Sequence, residues 1–289
     1  MLTRNHQLSS KQLLDLDELC TACKTHDGNN INVYRHLLSQ DRPRLCNMLY
    51  YYQEQLIGFL SAFFFYEETC ELAVMVRPDF RKQGIAAYMI KEILPLIHSE
   101  NIKTLIFSAP HDINNETFQT KGFRYLHCEY LMQRQDTQPA VITNQPLVVR
   151  RATIADLAFL CAIDNMCFTI HQPDTPIYFQ KLLYDPNYTL FVAELNGVPI
   201  GKAHLDHQPD NTRITDIAIL PDYQGQGFGS AMLASCINYS LSAKQPNLSL
   251  NVETKNQQAL KIYTRLGFLI NNAYDFWTIP IEVLRFLKH

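Results

Sequence analysis

The stretch Thr215–Ser235, TDIAILPDYQGQGFGSAMLAS, decides the fold. Ile217-Ala218-Ile219-Leu220 reads as a short apolar strand, stopped by Pro221 and Asp222. Gln224-Gly225-Gln226-Gly227-Phe228-Gly229 follows, and Ser230–Ser235 opens a helix. A glycine-rich turn between strand and helix leaves backbone N–H donors free at the positive end of the helix, which suits a phosphate or pyrophosphate. Glycine serves there because a Cβ would stand between backbone and anion. The spacing is not that of a nucleoside triphosphatase loop, Gly-x-x-x-x-Gly-Lys-Ser/Thr. Nor is it the dinucleotide fingerprint, Gly-x-Gly-x-x-Gly with a later acidic residue. The plainer alternative is a glycine-rich turn that holds nothing.

Downstream, Leu248–Leu269 reads LSLNVETKNQQALKIYTRLGFL. Leu248, Leu250 and Val252 share one face of an alternating strand, with Asn251 and Glu253 on the other. A helix follows with Ala259, Leu260, Ile262, Tyr263 and Leu266 at helical spacing. Gly267 ends that helix and Phe268 begins a strand. The two stretches together, Gln224-x-x-Gly227-x-Gly229 after a strand and Asn256-x-x-Ala259-x-x-x-Tyr263-x-x-x-Gly267-Phe268, resemble the acetyl-CoA loop and C-terminal motif of the GNAT superfamily of N-acetyltransferases.

Outward from there, 289 residues allow two domains of ordinary size, and 47% apolar residues supply a core. The 25 basic residues against 28 acidic ones give a net charge of −3, with no basic patch of the kind that binds nucleic acid. Cys20-Thr-Ala-Cys23 has zinc-knuckle spacing, but it lies in an amphipathic helical stretch without a second pair. The eight cysteines therefore read as thiols in a reducing compartment. The N-terminal segment MLTRNHQLSSKQ has no apolar centre, and Leu56–Tyr66 is too short for a membrane helix, so the reading is a soluble cytoplasmic protein with no membrane partner.

The first half repeats the pattern of the second. Helices are expected from Ser10 and over Asn32–Ser39, strands over Leu45–Tyr52, Leu56–Tyr66 and Glu71–Val76, and then Arg81-Lys82-Gln83-Gly84-Ile85-Ala86 before a helix. Arg81 and Gly84 stand 143 positions before Gln224 and Gly227, which marks an internal duplication. The halves are unequal. Phe118 stands where the second half has Tyr263, Asn114 replaces Ala259, and His111 replaces Asn256. A phenyl ring cannot donate a proton. The first half resembles the worn first half of tandem acetyltransferases such as mycothiol synthase, a likeness of architecture only. Residues 1–134 and 147–289 are expected as the two domains, joined by a polar linker over 135–146. The fold class is α/β (α+β): two tandem GNAT-like domains, each a mixed, mostly antiparallel twisted sheet flanked by helices. In the second, Thr189–Leu195 and Val198–His204 form a hairpin about Asn196-Gly197, and Tyr274–Ile279 closes the sheet.

The resemblance implies direct acetyl transfer from acetyl-CoA to a primary amine. The acceptor would be a small molecule or peptide, and no metal is implied. It makes Ile217, Ile219, Gln224, Gly225, Gln226, Gly227, Phe228, Gly229, Ser230, Asn256 and Ala259 the cofactor-binding residues. It makes Tyr263 the group that protonates the leaving thiolate, with a packing tyrosine as the plainer alternative. For the base, Asp216 and Glu253 are both open, and each also reads as a solvated strand-end carboxylate. His204 and His171 stand further off. The acceptor loop is expected around Phe168–Tyr178, with Trp277 a further aromatic candidate. A non-catalytic acyl-CoA sensor is the rival class.

Overall fold

The computed structural model describes residues 1–113, 115–142, 146–168, 175–208 and 210–287, the last three by backbone only. The chain forms two compact units. One holds Met1–Tyr130, Glu253–Lys255 and Asn272–His289; the other holds Leu131–Val252 and Asn256–Asn271.

In the first unit, β1 (Leu2–Asn5) leads to α1 (Ser10–Asp27). A capping box begins α1: Ser9 Oγ accepts from the Gln12 N–H, and Gln12 Oε1 accepts from the Ser9 N–H. Gly28, at φ +78°, ends the helix by donating to the Lys24 carbonyl. The helix expected over Asn32–Ser39 shrinks to α2 (Arg35–Leu38), because Tyr34 is left-handed at φ +44° and donates its hydroxyl to Glu71. β2 (Asn47–Tyr52) and β3 (Gln55–Tyr66) form the expected hairpin, with Gln53 and Glu54 both at positive φ. Next come β4 (Thr69–Val76), α3 (Ile85–Ser99), β5 (Thr104–Pro110), α4 (Asn115–Thr120) and β6 (Arg124–Arg134). α1 drives Leu16 and Leu19 onto Leu49, Phe59 and Met75. α3 buries Met89, Ile93 and Ile97 with Leu60, Leu72 and Leu105. Each such side chain contributes about 1.5–3 kcal/mol relative to exposure.

The second unit begins with the end of β6 and continues with β7 (Leu147–Arg151) and α5 (Leu157–Cys167). Thr153 and Asp156 form a capping box just before α5. α6 (Thr175–Tyr184) is a helix where a loop was expected to run to Tyr178. Phe179 and Leu182, three residues apart, bury one face of it with Leu160, Leu190 and Val192, and that packing outweighs the local turn signals. Then follow β8 (Tyr188–Leu195), β9 (Val198–His207), β10 (Thr212–Ile219), α7 (Phe228–Ser242), β11 (Leu248–Glu253), α8 (Gln257–Arg265) and β12 (Leu269–Pro280). Asn196 and Gly197 turn the β8–β9 hairpin at φ +51° and +79°, as a type I′ turn requires. Strand order in this unit is β11-β10-β9-β8-β7.

The compact units depart from the sequence boundaries at β12. From Tyr274 to Pro280 it pairs antiparallel with β5, Tyr274 opposite Pro110 and Pro280 opposite Thr104. The first unit's strand order is therefore β1-β2-β3-β4-β5-β12-β6, with β6 contributing residues 124–130. The run Ala273–Ile279 is buried on both faces, which suits an interior strand and covers an edge that β5 would otherwise expose. The expected linker is tied down where it is described. Arg134 donates to the carbonyls of Leu266, Asp136 and Gln138, and Ala140 exchanges hydrogen bonds with the Asn238 side chain on α7. Residues 143–145 lie outside the described residues. Among the described residues, no helix is long and apolar enough to cross a membrane.

Candidate active site

β10 and β11 run parallel but pair only at Thr212–Leu248 and Arg213–Ser249. Beyond that point β10 is held by β9, with a bulge between Thr215 and Ala218. Asp216 sits in the bulge at φ +51°, a strained value for a non-glycine residue. Ile217, in the bulge, and Ile219, past it, line a cavity of ≈ 480 Å³.

The glycine loop forms the next part of the wall. Gln224 donates from Nε2 to the Ile219 carbonyl at 2.8 Å and so ties the loop to the strand it leaves. Gly225 and Gly227 lie at φ +75° and +90°, which a branched residue would adopt only under strain. Gly227 is the N-cap of α7 and supplies no side-chain acceptor to the first-turn N–H groups. Gln224, Gly225, Gly227, Gly229 and Ser230 all line the cavity. Gln226 and Phe228 do not. Gln226 donates to the Asp222 carbonyl, and the Phe228 side chain turns into the core.

α8 provides the facing wall. Asn256 caps it, its side chain accepting from the Ala259 N–H at 3.1 Å, and Asn256, Ala259, Ile262 and Tyr263 all line the cavity. No residue of α8 is fully buried, so its apolar stripe faces the cavity. Arg265 donates to Ser230 Oγ at 2.9 Å and links the end of α8 to the start of α7. Burial raises the Tyr263 phenol above its ordinary range, so the group is protonated at neutral pH and the weaker acid for it.

The Acetyltransferase (GNAT) family profile matches this chain twice, over residues 12–123 and 157–268. The chain belongs to that family, in a tandem form. An uncharacterised N-acetyltransferase of Methanocaldococcus jannaschii is 31% identical over 107 residues, 35% of this chain and 47% of that protein, so the chain spans less than half of that relative's length. Mycothiol acetyltransferase of Mycobacteroides abscessus is 25% identical over 217 residues, 70% of this chain and 72% of its own. A GCN5-related N-acetyltransferase from Sphaerobacter thermophilus shares the fold, with a TM-score of 0.78 at 14% identity over 97% of this chain and 95% of that one.

The two base candidates of this GNAT protein part company. Asp216 Oδ2 lies 3.2 Å from His204 Nδ1. Burial pushes the Asp216 carboxyl up, but the hydrogen bond from His204 and the charges of His204 and Lys202 outweigh it and hold the group well below the carboxylate range. Neither Asp216 nor Glu253 is among the residues that line the cavity, and the Glu253 carboxylate meets Lys255 Nζ at 2.6 Å. His171 lies outside the described residues. Trp277 is buried in the first unit, stacked on Phe118 at 5.2 Å.

A second polar group on the same sheet was not foreseen from the sequence. Lys202 is fully buried on β9, its Nζ 2.5 Å from Asp164 Oδ1 on α5. Nζ also stands 4.6 Å from the Phe179 ring centroid and 5.0 Å from that of Phe168. The signal lay in Ile200–Leu205, where a lysine interrupts an apolar strand at an inward position.

The first unit carries a cavity of ≈ 440 Å³ in the matching place, lined by Arg81, Lys82, Gly84 and Phe118. Its Arg81 donates to the Val76 carbonyl, as Gln224 does to Ile219, and also clamps Asp27 at 2.7 and 2.8 Å. His111 binds Asp275 rather than capping a helix. Asn114 lies outside the described residues.

Proposed function

We propose that the chain transfers acetyl from acetyl-CoA to a primary amine of a small molecule or peptide, and that the second unit performs the transfer. One observation carries the reading: the uncapped N-terminus of α7, with glycines at 225, 227 and 229, opens on a cavity whose far wall bears Tyr263. In this reading the pyrophosphate takes the N–H groups of the loop. The pantetheine runs along Ile217 and Ile219, where β10 lacks a β11 partner to bond. The thioester then meets N–H groups that no strand uses, and these stabilise its oxyanion. Asp216 faces the acceptor and pairs with its ammonium, whose proton leaves through water before attack. Tyr263 protonates the departing thiolate. The place of action proposed is the cytoplasm, where the eight cysteines stay reduced.

The test is thiol release from acetyl-CoA across a panel of amines, with Tyr263→Phe beside the wild type. Loss of kcat on the order of 10²-fold with CoA affinity kept supports the assignment. Wild-type turnover in the variant makes Tyr263 a packing residue. CoA binding without thiol release for any amine favours a sensor.

A further inference from the structure

Away from the proposed transfer site, the first unit brings together three chemically different donor atoms. His111 follows β5, Cys128 lies on β6, and Asp275 lies on β12. His111 Nδ1 is 2.9 Å from Asp275 Oδ1 and 3.5 Å from Cys128 Sγ. One donor atom from each residue lies within 4.8 Å of the other two. We propose that His111, Cys128 and Asp275 bind a divalent metal ion of the zinc class.

Two of the three separations can be set against the ion. Bonds of about 2.0 Å to nitrogen and about 2.3 Å to sulfur, at a tetrahedral angle, set those two atoms about 3.5 Å apart. The Cys128–His111 pair already has that separation. The His111–Asp275 distance is that of a hydrogen bond, and an opening of a few tenths of an ångström gives the roughly 3.3 Å edge of a tetrahedral nitrogen–oxygen pair.

The outer partners point the same way. His111 Nε2 lies 3.3 Å from Asp112 Oδ2, and in the tautomer that donates its Nε2–H to that carboxylate the Nδ1 lone pair turns inward. Asp275 Oδ2 is engaged by the Asp112 N–H at 3.0 Å, which leaves Oδ1 to the site. Nδ1 and Oδ1 then present lone pairs to each other, with the Cys128 sulfur alongside. A cation among them resolves that contact. A proton on Nδ1 would also satisfy His111 and Asp275, with the Cys128 S–H turned to the Asp275 carboxylate; a metal ion replaces both protons.

The donors are preorganised by pairing. Asp275 stands opposite Ala109 in the β5–β12 ladder, and the His111 N–H donates to the Ala273 carbonyl at 3.1 Å. Cys128 and Asp275 are buried, whereas the His111 side chain is 35% exposed and gives the ion a way in. Three protein ligands leave a fourth position for water. Thiolate and imidazole donors favour zinc over magnesium or calcium. Binding forms the metal–sulfur bond and releases the Cys128 thiol proton to solvent. The ion would tie β12 to β5 and β6.

The test uses the full chain, stripped with a chelator and reloaded with zinc or with cobalt as a spectroscopic probe. The proposal expects stoichiometric zinc to survive desalting. It also expects thiolate-to-cobalt charge-transfer absorption in the wild type and none in Cys128→Ser. Asp112→Asn, at an exposed position, should lower zinc affinity roughly 10–100-fold, as loss of an outer carboxylate does. Failure of the wild type to retain metal overturns the site, as does a charge-transfer band that persists in Cys128→Ser. Should Cys128→Ser fail to fold, Asp112→Asn decides, and an unchanged zinc affinity there rejects the proposal.

Discussion

Asp216 Oδ2 lies 3.2 Å from His204 Nδ1, at the bulge where β10 changes register on β9. His204 is buried, and among the described residues its Nε2 has no hydrogen-bond partner. The ring therefore serves the carboxylate, fixing its orientation and holding it ionised well below neutrality. A carboxylate with so low a proton affinity attracts an ammonium but does not store its proton.

That relationship sets the first prediction. Asp216→Asn should lower kcat/KM by about 10–10²-fold, the loss expected for a charge-assisted hydrogen bond to the acceptor. Because Asp216 is ionised across the working range, the whole pH profile should drop without a shift of its acid limb, which belongs to the acceptor amine. The check is kcat/KM against pH for both proteins. A limb that disappears in the variant would make Asp216 the titrating base, and an unchanged rate would remove it from the reaction.

The glycine loop gives a sharper test through Gly229 than through its neighbours. At Gly227 the backbone is left-handed, so Gly227→Val strains the loop as well as obstructing it. A Cβ on Gly229 would meet only Ile219 Cγ1, at 3.8 Å, an ordinary contact on the cavity wall. Gly229→Ala should therefore keep its unfolding midpoint while CoA affinity falls, and Gly229→Val should abolish binding. Gly84→Val in the first unit should leave the maximal rate within a few fold, about 1 kcal/mol or less in barrier. Calorimetry with CoA and steady-state rates for the three variants decide it. Activity lost only through Gly84 would move the transfer to the first unit.

Much of this site was legible because its signals are local. Gly227 as a left-handed N-cap, Asn256 as the cap of α8 and Gly267 at φ +88° are set by one or two residues of context. The partner of β12, the helix at Thr175–Tyr184 and the Asp216 bulge depend on pairing and packing with distant residues, and periodicity does not encode those. Lys202 shows the boundary between the two. Its oddity on an apolar strand is visible in the sequence, but Asp164, 38 positions away, is not visible as its partner.

The Lys202–Asp164 pair should be costly to break and cheap to replace. Asp164→Ala strands a buried ammonium and should destabilise the protein by about 3–5 kcal/mol. A joint Lys202→Met, Asp164→Leu change removes both charges and should cost far less than the single variant. Urea denaturation followed by circular dichroism measures the two. Equal losses would show that shape, not charge pairing, fixes this part of the unit.

Glu71 sets the pH dependence of the first unit. It is buried on β4, and desolvation pushes its carboxyl up to about 8; the Tyr34 hydroxyl pulls it down and the charge of Glu129 adds to the rise. In the unfolded chain the group titrates near ~4.3. Between those values the folded state holds a proton that the unfolded state has lost. Stability must then fall as pH rises, by up to about 1.4 kcal/mol per pH unit, and level off above the folded value. The sign is opposite to that of Asp156, whose carboxyl Arg150 holds down to about 2 despite some burial, and whose stabilisation is lost only as pH falls toward that value. Glu71→Gln keeps the size and the Tyr34 contact while removing the titration, so it should flatten the slope between about pH 5 and about pH 8. Trp277, the sole tryptophan, is buried in this unit and supplies the fluorescence signal for urea midpoints. A wild-type midpoint as flat as that of the variant would mean that Glu71 is ionised at neutral pH, with the Tyr34 hydroxyl as the hydrogen-bond donor to its carboxylate.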